Sequence, residues 1–439
     1  MTTYKDTIDM MELLSKIAPL ERTLANKATD QAFSILKESL PSGKVEGFAT
    51  GKKVWSWTIP KRWECKKGQI ISEGRVLLDI KVHPLHLVNY SRPFKGRVSH
   101  EELMKHLFSD PNQPDAIPFV FKYYQDDWGF CIEHSRREIF NSDFYDIEVD
   151  TVLEDGDLNV FYDYLPGNSK ETFIICSDIC HPTQVNDSLT GVAVGIDIMK
   201  RLHTRKERKY NYLFLALPET IGSIAFLAHH PEFIENTVGG FFSEMLGSNG
   251  PMVGQKTRAG NTYFDFLLDQ KLKASSKDYK IVDFLKSAAN DEKVMDSPGV
   301  DIPTFAITRS PYREYHTSDD NMSIIKEYNL RESRDVLQSI IDDFEKDYIP
   351  RLKYPGHIFL SGYGLYPNWY DDPTLKPAWD SFIEIMPMID GKLSVVEIAQ
   401  KVRCNPELVF YWCDRFEEKG LVKKYEYKVK RAEKNLVGF

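Results

Sequence analysis

TFIICSDICHPTQVNDSLTG, residues Thr172–Gly191, is the stretch that decides the fold of this chain. Its apolar run from Phe173 to Cys176 ends in polar residues, and His181 and Asp187 follow just before a glycine and a long amphipathic segment. An open α/β sheet builds a binding site in this way, with polar side chains at the carboxyl end of a buried strand and a helix after them. The stretch therefore predicts a strand, a helix and half of a site.

Three later apolar runs end in the same manner. Tyr212–Leu217 leads to Glu219, Gly239–Met245 contains Glu244, and Pro303–Thr308 leads to His316. The carboxyl ends of parallel strands share one edge of a sheet, so these side chains are expected to converge with His181 and Asp187. Two imidazoles and three carboxylates suit zinc, either one ion or two ions bridged by a carboxylate. Each side chain alone has a structural explanation, such as a helix cap; their joint placement predicts a zinc site.

The periodicity from about residue 155 onward predicts an α/β fold. A strand is expected over Asn159–Leu165, and the strands that follow alternate with helical patterns at Leu189–Leu202, Ile221–His229 and Leu330–Tyr348. The last pattern places its apolar residues on one face with a period of 3.6. Strands that alternate with helices predict a doubly wound, mixed or mainly parallel sheet.

The composition of the remaining segments suggests further domains. We expect the α/β domain to comprise residues 1–45 and 150–350, and a smaller β-rich or α+β domain, residues 46–149, to be inserted over the ligand-bearing edge of the sheet. Residues 351–375, rich in Pro, Gly and Tyr, predict a linker. Residues 376–439 predict a winged helix-turn-helix domain, with three helices and a hairpin wing over Leu421–Val429. Ser394 and Glu397 predict a capping box at the start of the second helix.

The charge of the predicted winged helix argues against a DNA-binding role. From Lys376 to Phe439 there are twelve Lys or Arg and ten Asp or Glu. The candidate recognition helix, Asn405–Lys419, has four acidic and two basic residues. Phosphate contacts supply most of the affinity for DNA, and this helix would repel phosphates. We expect a protein partner or dimerisation instead, so a homo-oligomer remains open.

Composition sets the class of the whole chain. The 439 residues exceed one ordinary core, and the net charge of -9 argues against general nucleic-acid binding. No apolar run approaches the roughly 20 residues of a membrane helix, and the N-terminal pattern is an amphipathic helix rather than a signal peptide. The six scattered cysteines include no C-x-x-C pair and predict reduced thiols in the cytoplasm.

The motifs resemble a known family. The order His, Asp-x-x-x-Gly, Glu-x-x-Gly-Ser, Glu-Met-x-Gly and Tyr-His-Thr is similar to that of the co-catalytic zinc aminopeptidases. HPTQVNDSLTG, PETIGS and YHTSDD resemble more closely a bacterial family of aminopeptidase-like proteins, which have an inserted domain and a C-terminal winged helix. LHLVNYS and DAIPFVFKYYQDDWGFC look like that insert, so the resemblance covers nearly the whole chain.

The resemblance implies roles for the five candidate ligands. Asp187 would bridge two zinc ions, His181 and Glu244 would complete one site, and Glu219 and His316 would complete the other. Water activated by the metal would then attack an amide carbonyl of the substrate.

The residues that follow the fourth strand end are candidates for substrate binding. Tyr315 and Arg313 lie beside His316 in the sequence and would polarise the oxyanion of the tetrahedral intermediate.

The chain departs from the aminopeptidase pattern at the glutamate. Typical members have a Glu–Glu pair, in which the first is the general base and the second a ligand, whereas here Glu219 follows Pro218. One carboxylate cannot easily do both. Two zinc ions with Glu219 as a ligand, and one zinc held by His181, Asp187 and His316 with Glu219 as the base, both remain open.

A second departure lies beside the first histidine. The Asp that usually stands two residues after it is replaced by Thr183, so His181 is expected to lack its orienting acid. The interval between His181 and Asp187 is also short, with five residues between them.

Three functional hypotheses follow. The first is a zinc-dependent, aminopeptidase-like hydrolase that cleaves an amide of a small cytoplasmic substrate, such as a small peptide. The second is a non-catalytic or regulatory protein that keeps the fold, since the base position is altered. The third is a zinc amidohydrolase or deacetylase acting on an amino-sugar conjugate in polysaccharide biosynthesis, because relatives of this kind accompany such proteins.

Overall fold

A computed structural model describes residues 9–275, 278–366 and 376–429. The strands are β1 (Lys44–Ala49), β2 (Lys53–Val54), β3 (Trp57–Thr58), β4 (Arg62–Ser72), β5 (Arg75–Asp79), β6 (Phe94–Ser99), β7 (Leu107–Phe108), β8 (Phe130–Cys131), β9 (Phe144–Glu154), β10 (Asp157–Leu165), β11 (Thr172–Asp178), β12 (Asn211–Leu217), β13 (Thr237–Ser243), β14 (Met252–Gln255), β15 (Tyr279–Val282), β16 (Thr304–Arg309), β17 (Tyr348–Leu352) and β18 (Val422–Glu426). The α-helices are α1 (Met10–Ile17), α2 (Lys27–Ser39), α3 (His100–Lys105), α4 (Leu189–Thr204), α5 (Ile221–His229), α6 (Pro231–Asn236), α7 (Tyr263–Ser275), α8 (Asp291–Met295), α9 (Glu327–Lys346), α10 (Lys376–Ile385), α11 (Val395–Val402) and α12 (Pro406–Glu418). No helix in these residues is long and apolar enough to cross a membrane.

An eight-stranded sheet in the order β1-β10-β12-β11-β13-β16-β14-β15 forms the centre of the molecule. β12, β11, β13 and β16 are parallel neighbours, and every residue in them is buried. β10 and β1 add antiparallel strands on one side, and β14 pairs antiparallel with β16 on the other. The predicted α/β fold with a mixed sheet is confirmed.

The pleat of the central strands divides the interior into two cores. Phe173 and Ile175 of β11 face one core, while Ile174 and Cys176 face the other, as the period of two requires. Helices α1, α4, α7 and α9 pack together in the first core. Helices α5 and α8 lie on the opposite face of the sheet, so both faces are covered and the strands are apolar throughout.

A second sheet, in the order β5-β4-β9-β6, is built from the segment between β1 and β10. Its strands are antiparallel, and its buried residues Trp63, Ile70 and Ile147 share the second core with Leu215 and Phe242 of the main sheet. The inserted segment is therefore fixed against the main sheet by apolar packing.

The C-terminal helices α10, α11 and α12 share the first core with the end of α9. Helix α11 begins with the predicted capping box of Ser394 and Glu397. Helix α12 buries Phe410 and Trp412, and Lys346 at the end of α9 forms an ion pair with Glu407. Within residues 376–429, the predicted hairpin over Leu421–Val429 is wrong: β18 pairs with β17, which precedes the three helices. Part of the predicted linker, residues 367–375, lies outside the described residues, as does the end of the tail.

Candidate metal centre

The four predicted strand ends meet at one edge of the sheet. β11, β12, β13 and β16 lie side by side, and His181, Glu219, Glu244 and His316 come after these strands in turn. His181 Nε2 lies 3.9 Å from Asp187 Oδ2 and 3.9 Å from Glu219 Oε2. Parallel neighbours thus bring together side chains that are up to 135 positions apart in the sequence.

One set of nitrogen and oxygen donors consists of His181, Asp187 and His316. One ligand atom from each lies within 4.8 Å of the others, and His316 Nε2 is 3.1 Å from Asp187 Oδ2. His181 and Asp187 are only 3% and 2% exposed, whereas the His316 side chain is 30% exposed. Protein atoms therefore cover His181 and Asp187, and solvent reaches the set at His316.

Glu219 lies at the rim of this set. Its side chain is 31% exposed, and its backbone N–H donates to Cys180 Sγ at 3.3 Å. A carboxylate that water can reach, beside a possible metal position, suits a general base better than a buried ligand.

Glu244 belongs to a second group, together with Asp178 and Asp187, whose carboxylate oxygens lie within 4.8 Å of one another. Glu244 Oε2 accepts a hydrogen bond from Asn290 Nδ2 at 2.6 Å. Burial, followed by the charge of Asp187, raises the pKa of Glu244 well above its ordinary value. Asp178 was missed in the sequence, although it ends the very strand that leads to His181.

Polar atoms at the site fit a bound cation. Asp187 Oδ2 and both carboxylate oxygens of Asp178 are buried and have no hydrogen bond of acceptable geometry. Burial lowers the pKa of His181, so that its ring is neutral at pH 7 and offers a lone pair. Burial opposes ionisation of Asp187, but the neighbouring His181 and His316 hold its pKa below the ordinary value. Two imidazoles and a carboxylate form a donor set typical of zinc.

The loop that carries His181 is held by Arg22, which follows α1. The guanidinium is 0% exposed and donates five hydrogen bonds to backbone carbonyl groups. The acceptors are Ile179, Ile17, Leu20, His181 and Gln184, at 2.9, 2.7, 3.3, 2.6 and 2.8 Å. Asp178 and Asp320 lie close enough to act electrostatically on Arg22. The N-terminal segment therefore fixes the backbone of the candidate site.

The loop that carries Asp187 is held by Asp320, four residues after His316. One oxygen accepts the backbone N–H groups of Val185 and Asn186, and the other accepts the N–H of Asp187 at 2.9 Å and the hydroxyl of Tyr312 at 2.9 Å. Burial raises the pKa of Asp320 to about 7. Asp320 thereby joins the loop after β16 to the loop after β11.

The inserted segment covers the metal centre through Phe119. Its backbone N–H donates to the carbonyl oxygen of His316 at 2.7 Å. Its ring centroid lies 5.3 Å from that of His181 and 5.4 Å from that of His316. Beside it, Ile117 and Ser318 exchange two hydrogen bonds. The insert thus lies over the ligand-bearing edge.

The two predicted substrate-binding residues differ in position. The Tyr315 ring stacks on His316, with centroids 3.9 Å apart, and is 46% exposed. Burial and the charge of Asp187 raise the pKa of Tyr315, so the phenol stays protonated. Arg313 is exposed, and within the described residues it forms no ion pair or hydrogen bond.

The fold and the candidate metal centre together define the class. The model is similar to the structure of a zinc aminopeptidase from Bacillus subtilis, with a TM-score of 0.59 and 13% identity over 76% of this chain and 95% of that one. It is also similar to an aminopeptidase from Aneurinibacillus, with a TM-score of 0.52 and 13% identity over 77% and 94% of the two chains. The chain has an aminopeptidase-like α/β fold with residue groups that could hold a metal ion.

The particular family is shown by its sequence model. Residues 11–347 match the family described as a domain of unknown function, DUF4910, and the chain belongs to it. A protein of Clostridium acetobutylicum, provisionally named a polysaccharide biosynthesis protein with aminopeptidase-like domain, is 29% identical over 94% of this chain and 96% of its own length. A crystal structure from the same organism, provisionally described as a peptidase, has a TM-score of 0.85 and 27% identity over 94% and 96% of the two chains.

Proposed function

We propose that this protein is a zinc-dependent, aminopeptidase-like hydrolase that cleaves an amide bond of a small substrate in the cytoplasm. The observation that carries the proposal is the placement of His181, Asp187 and His316 around one position, with Glu219 at the rim. The aminopeptidase-like fold supports it. The six free cysteines are in keeping with a reducing compartment.

His181, Asp187 and His316 would hold the ion in the reading that we favour. Zinc in such a site acts as a Lewis acid toward a carbonyl oxygen and lowers the pKa of water. Glu244 would serve a second ion only if Asp187 bridged two of them. The chain offers one glutamate where a base and a ligand are both needed, and the exposure of Glu219 favours the base.

Glu219 would then accept a proton from the attacking water and return it to the leaving amine. The Tyr315 phenol, protonated and stacked on His316, would donate to the developing oxyanion. Arg313 is exposed, so we assign it a contact with the rest of the substrate rather than with the oxyanion.

The substrate is expected to be small. Phe119 is 6% exposed and its ring contacts those of both histidines, which favours a substrate that reaches the metal position with a small end group. Its backbone is hydrogen-bonded to the His316 loop, which keeps this cover in place. A small peptide or an amino-acyl conjugate meets the requirement.

A second substrate class has support from a relative. The Clostridium acetobutylicum protein is named for polysaccharide biosynthesis, which favours an amide on an amino sugar. The same three ligands and the same base would serve a deacetylase or other amidohydrolase. A substrate panel has to include both classes.

We further propose that helices α10, α11 and α12, with the pair of β17 and β18 in place of a hairpin wing, form a winged helix-turn-helix that binds protein rather than DNA. Helices α11 and α12 form the helix pair, and the exposed face of α12 includes Glu407, Asp414 and Glu418. Glu407 and Asp414 are paired with Lys346 and Lys424, so this face offers phosphate groups no excess of positive charge. A mobility-shift assay at low salt tests this: binding to duplex DNA would contradict it.

The experiment combines metal content with turnover. Purified protein should contain zinc by elemental analysis, and the variant with His181→Ala and His316→Ala should release it. Glu219→Gln should keep the zinc but lose about 100-fold or more of the chelator-sensitive turnover on amino-acyl amides or N-acylated amino sugars. The matched control is His203→Ala, because His203 pairs with Asp163 at 2.7 Å at the far end of α4. Full zinc occupancy in the double variant would contradict the site, and zinc without turnover would favour the non-catalytic alternative.

A further inference from the structure

Asp178 is a buried acid that the proposed reaction leaves without a role. It is the last residue of β11 and is 0% exposed. Its backbone carbonyl accepts a hydrogen bond from Ser188, but neither of its carboxylate oxygens has a hydrogen-bond partner among the described residues. Burial of a charged carboxylate is unfavourable unless a hydrogen-bond donor or a cation compensates it. The basic group nearest to Asp178 is therefore the candidate that compensates its charge.

That group is the ring of His181. Nδ1 of the ring lies 3.9 Å from Asp178 Oδ2, whereas Nε2 lies 3.9 Å from Asp187 and from Glu219. The two nitrogens of one imidazole thus face different acids. Nε2 faces the proposed metal position, and Nδ1 faces Asp178. A movement of about 1 Å would bring Nδ1 and the carboxylate to hydrogen-bond distance.

Thr183 cannot take this role. It stands two residues after His181, where related enzymes have an acid, and its hydroxyl donates to the carbonyl of Pro182 at 2.7 Å. A hydroxyl engaged in this way supplies no charge to the ring. Position 183 therefore supplies no acid to orient His181. Another acid, Asp178, does lie near Nδ1 of the ring.

We propose that Asp178 is the positioning residue of His181: its carboxylate accepts a hydrogen bond from Nδ1–H, which keeps the proton on Nδ1 and the lone pair of Nε2 directed at the metal. The inference rests on the proposed metal site and deepens it. A carboxylate partner of this kind fixes the tautomer and the orientation of a ligating histidine and makes it a better donor. In this chain the acid comes from three residues upstream, at the end of the strand.

Two other arrangements compete with this one. Cys180 Sγ lies 4.0 Å from Nδ1, but sulfur is a weak acceptor and already accepts the N–H of Glu219. Asp178 could instead be a ligand of a second ion, together with Asp187 and Glu244. The first alternative predicts that Cys180 matters, and the second predicts that a metal ion is lost with Asp178.

The test uses the full chain and two measurements. Nitrogen-15 histidine spectra of the metal-free protein report the tautomer of His181, whose signals are assigned by their loss in His181→Gln. Competition with a chromophoric chelator reports zinc affinity, and elemental analysis reports stoichiometry. The variants are Asp178→Leu, which cannot accept a hydrogen bond, Asp178→Asn, which keeps the shape, and Cys180→Ala as the matched control.

We expect the wild type to carry the proton on Nδ1. Asp178→Leu should move it toward Nε2 and weaken zinc binding by about 10- to 100-fold, with Asp178→Asn at about the lower end. Cys180→Ala should change neither property. An unchanged tautomer in Asp178→Leu, or the loss of one ion of two with the remaining affinity intact, would overturn the proposal. If Asp178→Leu does not fold, wild-type zinc affinity in Asp178→Asn overturns it. Absence of zinc from the wild type would refute the proposed function, whereas the tautomer of the metal-free protein still reports on Asp178.

Discussion

Removal of the Arg22 guanidinium should destabilise both the fold and the metal centre. The side chain is completely buried, and its hydrogen bonds join the segment after α1 to the loop that carries His181. In Arg22→Met the chain keeps most of the apolar volume but leaves several carbonyl groups without a donor. In Arg22→Lys the charge is kept, but the planar fork that reaches five acceptors is lost.

The size of the effect follows from these contacts. A hydrogen bond to a charged group contributes about 1.5–3 kcal/mol, and breaking a buried charged network costs about 3–5 kcal/mol. Some acceptors retain other donors, since Leu20 O also accepts the N–H of Thr183. We therefore expect about 4 kcal/mol for Arg22→Met and about 2 kcal/mol for Arg22→Lys. Zinc affinity should fall by about tenfold, because the carbonyls of His181 and Gln184 lose their anchor.

Urea unfolding in the presence of a chelator measures the free energy of unfolding of the metal-free protein, so that bound metal does not contribute to it. Zinc affinity is measured separately by competition. Arg208→Met is the matched control, since Arg208 also donates to backbone carbonyls, those of Leu202 and Arg205, but lies half-buried away from the site. It should cost about 1 kcal/mol and leave zinc binding unchanged. A loss below about 1 kcal/mol in Arg22→Met, with unchanged zinc affinity, would refute the reasoning.

Three further predictions concern single side chains. Asp320→Asn places an amide donor against the backbone donors of residues 185–187, so we expect a loss of about 2 kcal/mol in urea unfolding and weaker zinc binding. Burial raises the pKa of Asp291 from its ordinary value of 3.8 to about 8, so the folded protein holds a proton that the unfolded chain releases between these values. Asp291 should therefore make stability fall as pH rises through this window, by up to about 1.4 kcal/mol per pH unit, and Asp291→Asn should remove this contribution from the measured slope. Phe119→Ala opens the cover over His181 and His316, and steady-state kinetics should show that bulkier amides gain relative to small ones.

The outcomes that contradict these three predictions are distinct. Wild-type stability and zinc affinity in Asp320→Asn would show that the carboxylate does not hold the loop. A pH slope in Asp291→Asn equal to that of the wild type would assign the slope to other acids. An unchanged ranking of substrates in Phe119→Ala would remove Phe119 from the substrate path.

The sequence predicted the centre of the fold well because its strands are buried on both faces. Such strands are continuous apolar runs, as in Thr172–Cys176, and the helical pattern at Leu330–Tyr348 has a clear 3.6-residue period. β14 and α8 were missed because four and five residues are too few to show a period. The alternation in Leu421–Val429 suggested a hairpin because an edge strand has the same pattern, whatever its partner.

The candidate site was predicted only in part. His181, Glu219, Glu244 and His316 follow strands, so a rule about strand ends finds them. Asp178 was within reach of the same rule, since it follows the strand predicted to end at Cys176, but it was not singled out. Arg22 shows no local signal, because its acceptors lie up to 162 positions away and depend on tertiary packing.

The most direct test of the metal centre is a crystal structure of the zinc-loaded protein with anomalous data at the zinc edge. The account predicts a zinc peak bound by His181 Nε2, Asp187 and His316, with ligand distances of about 2.0–2.2 Å. An ion bound only by Asp178, Asp187 and Glu244, or no peak at the edge of the sheet, would contradict it.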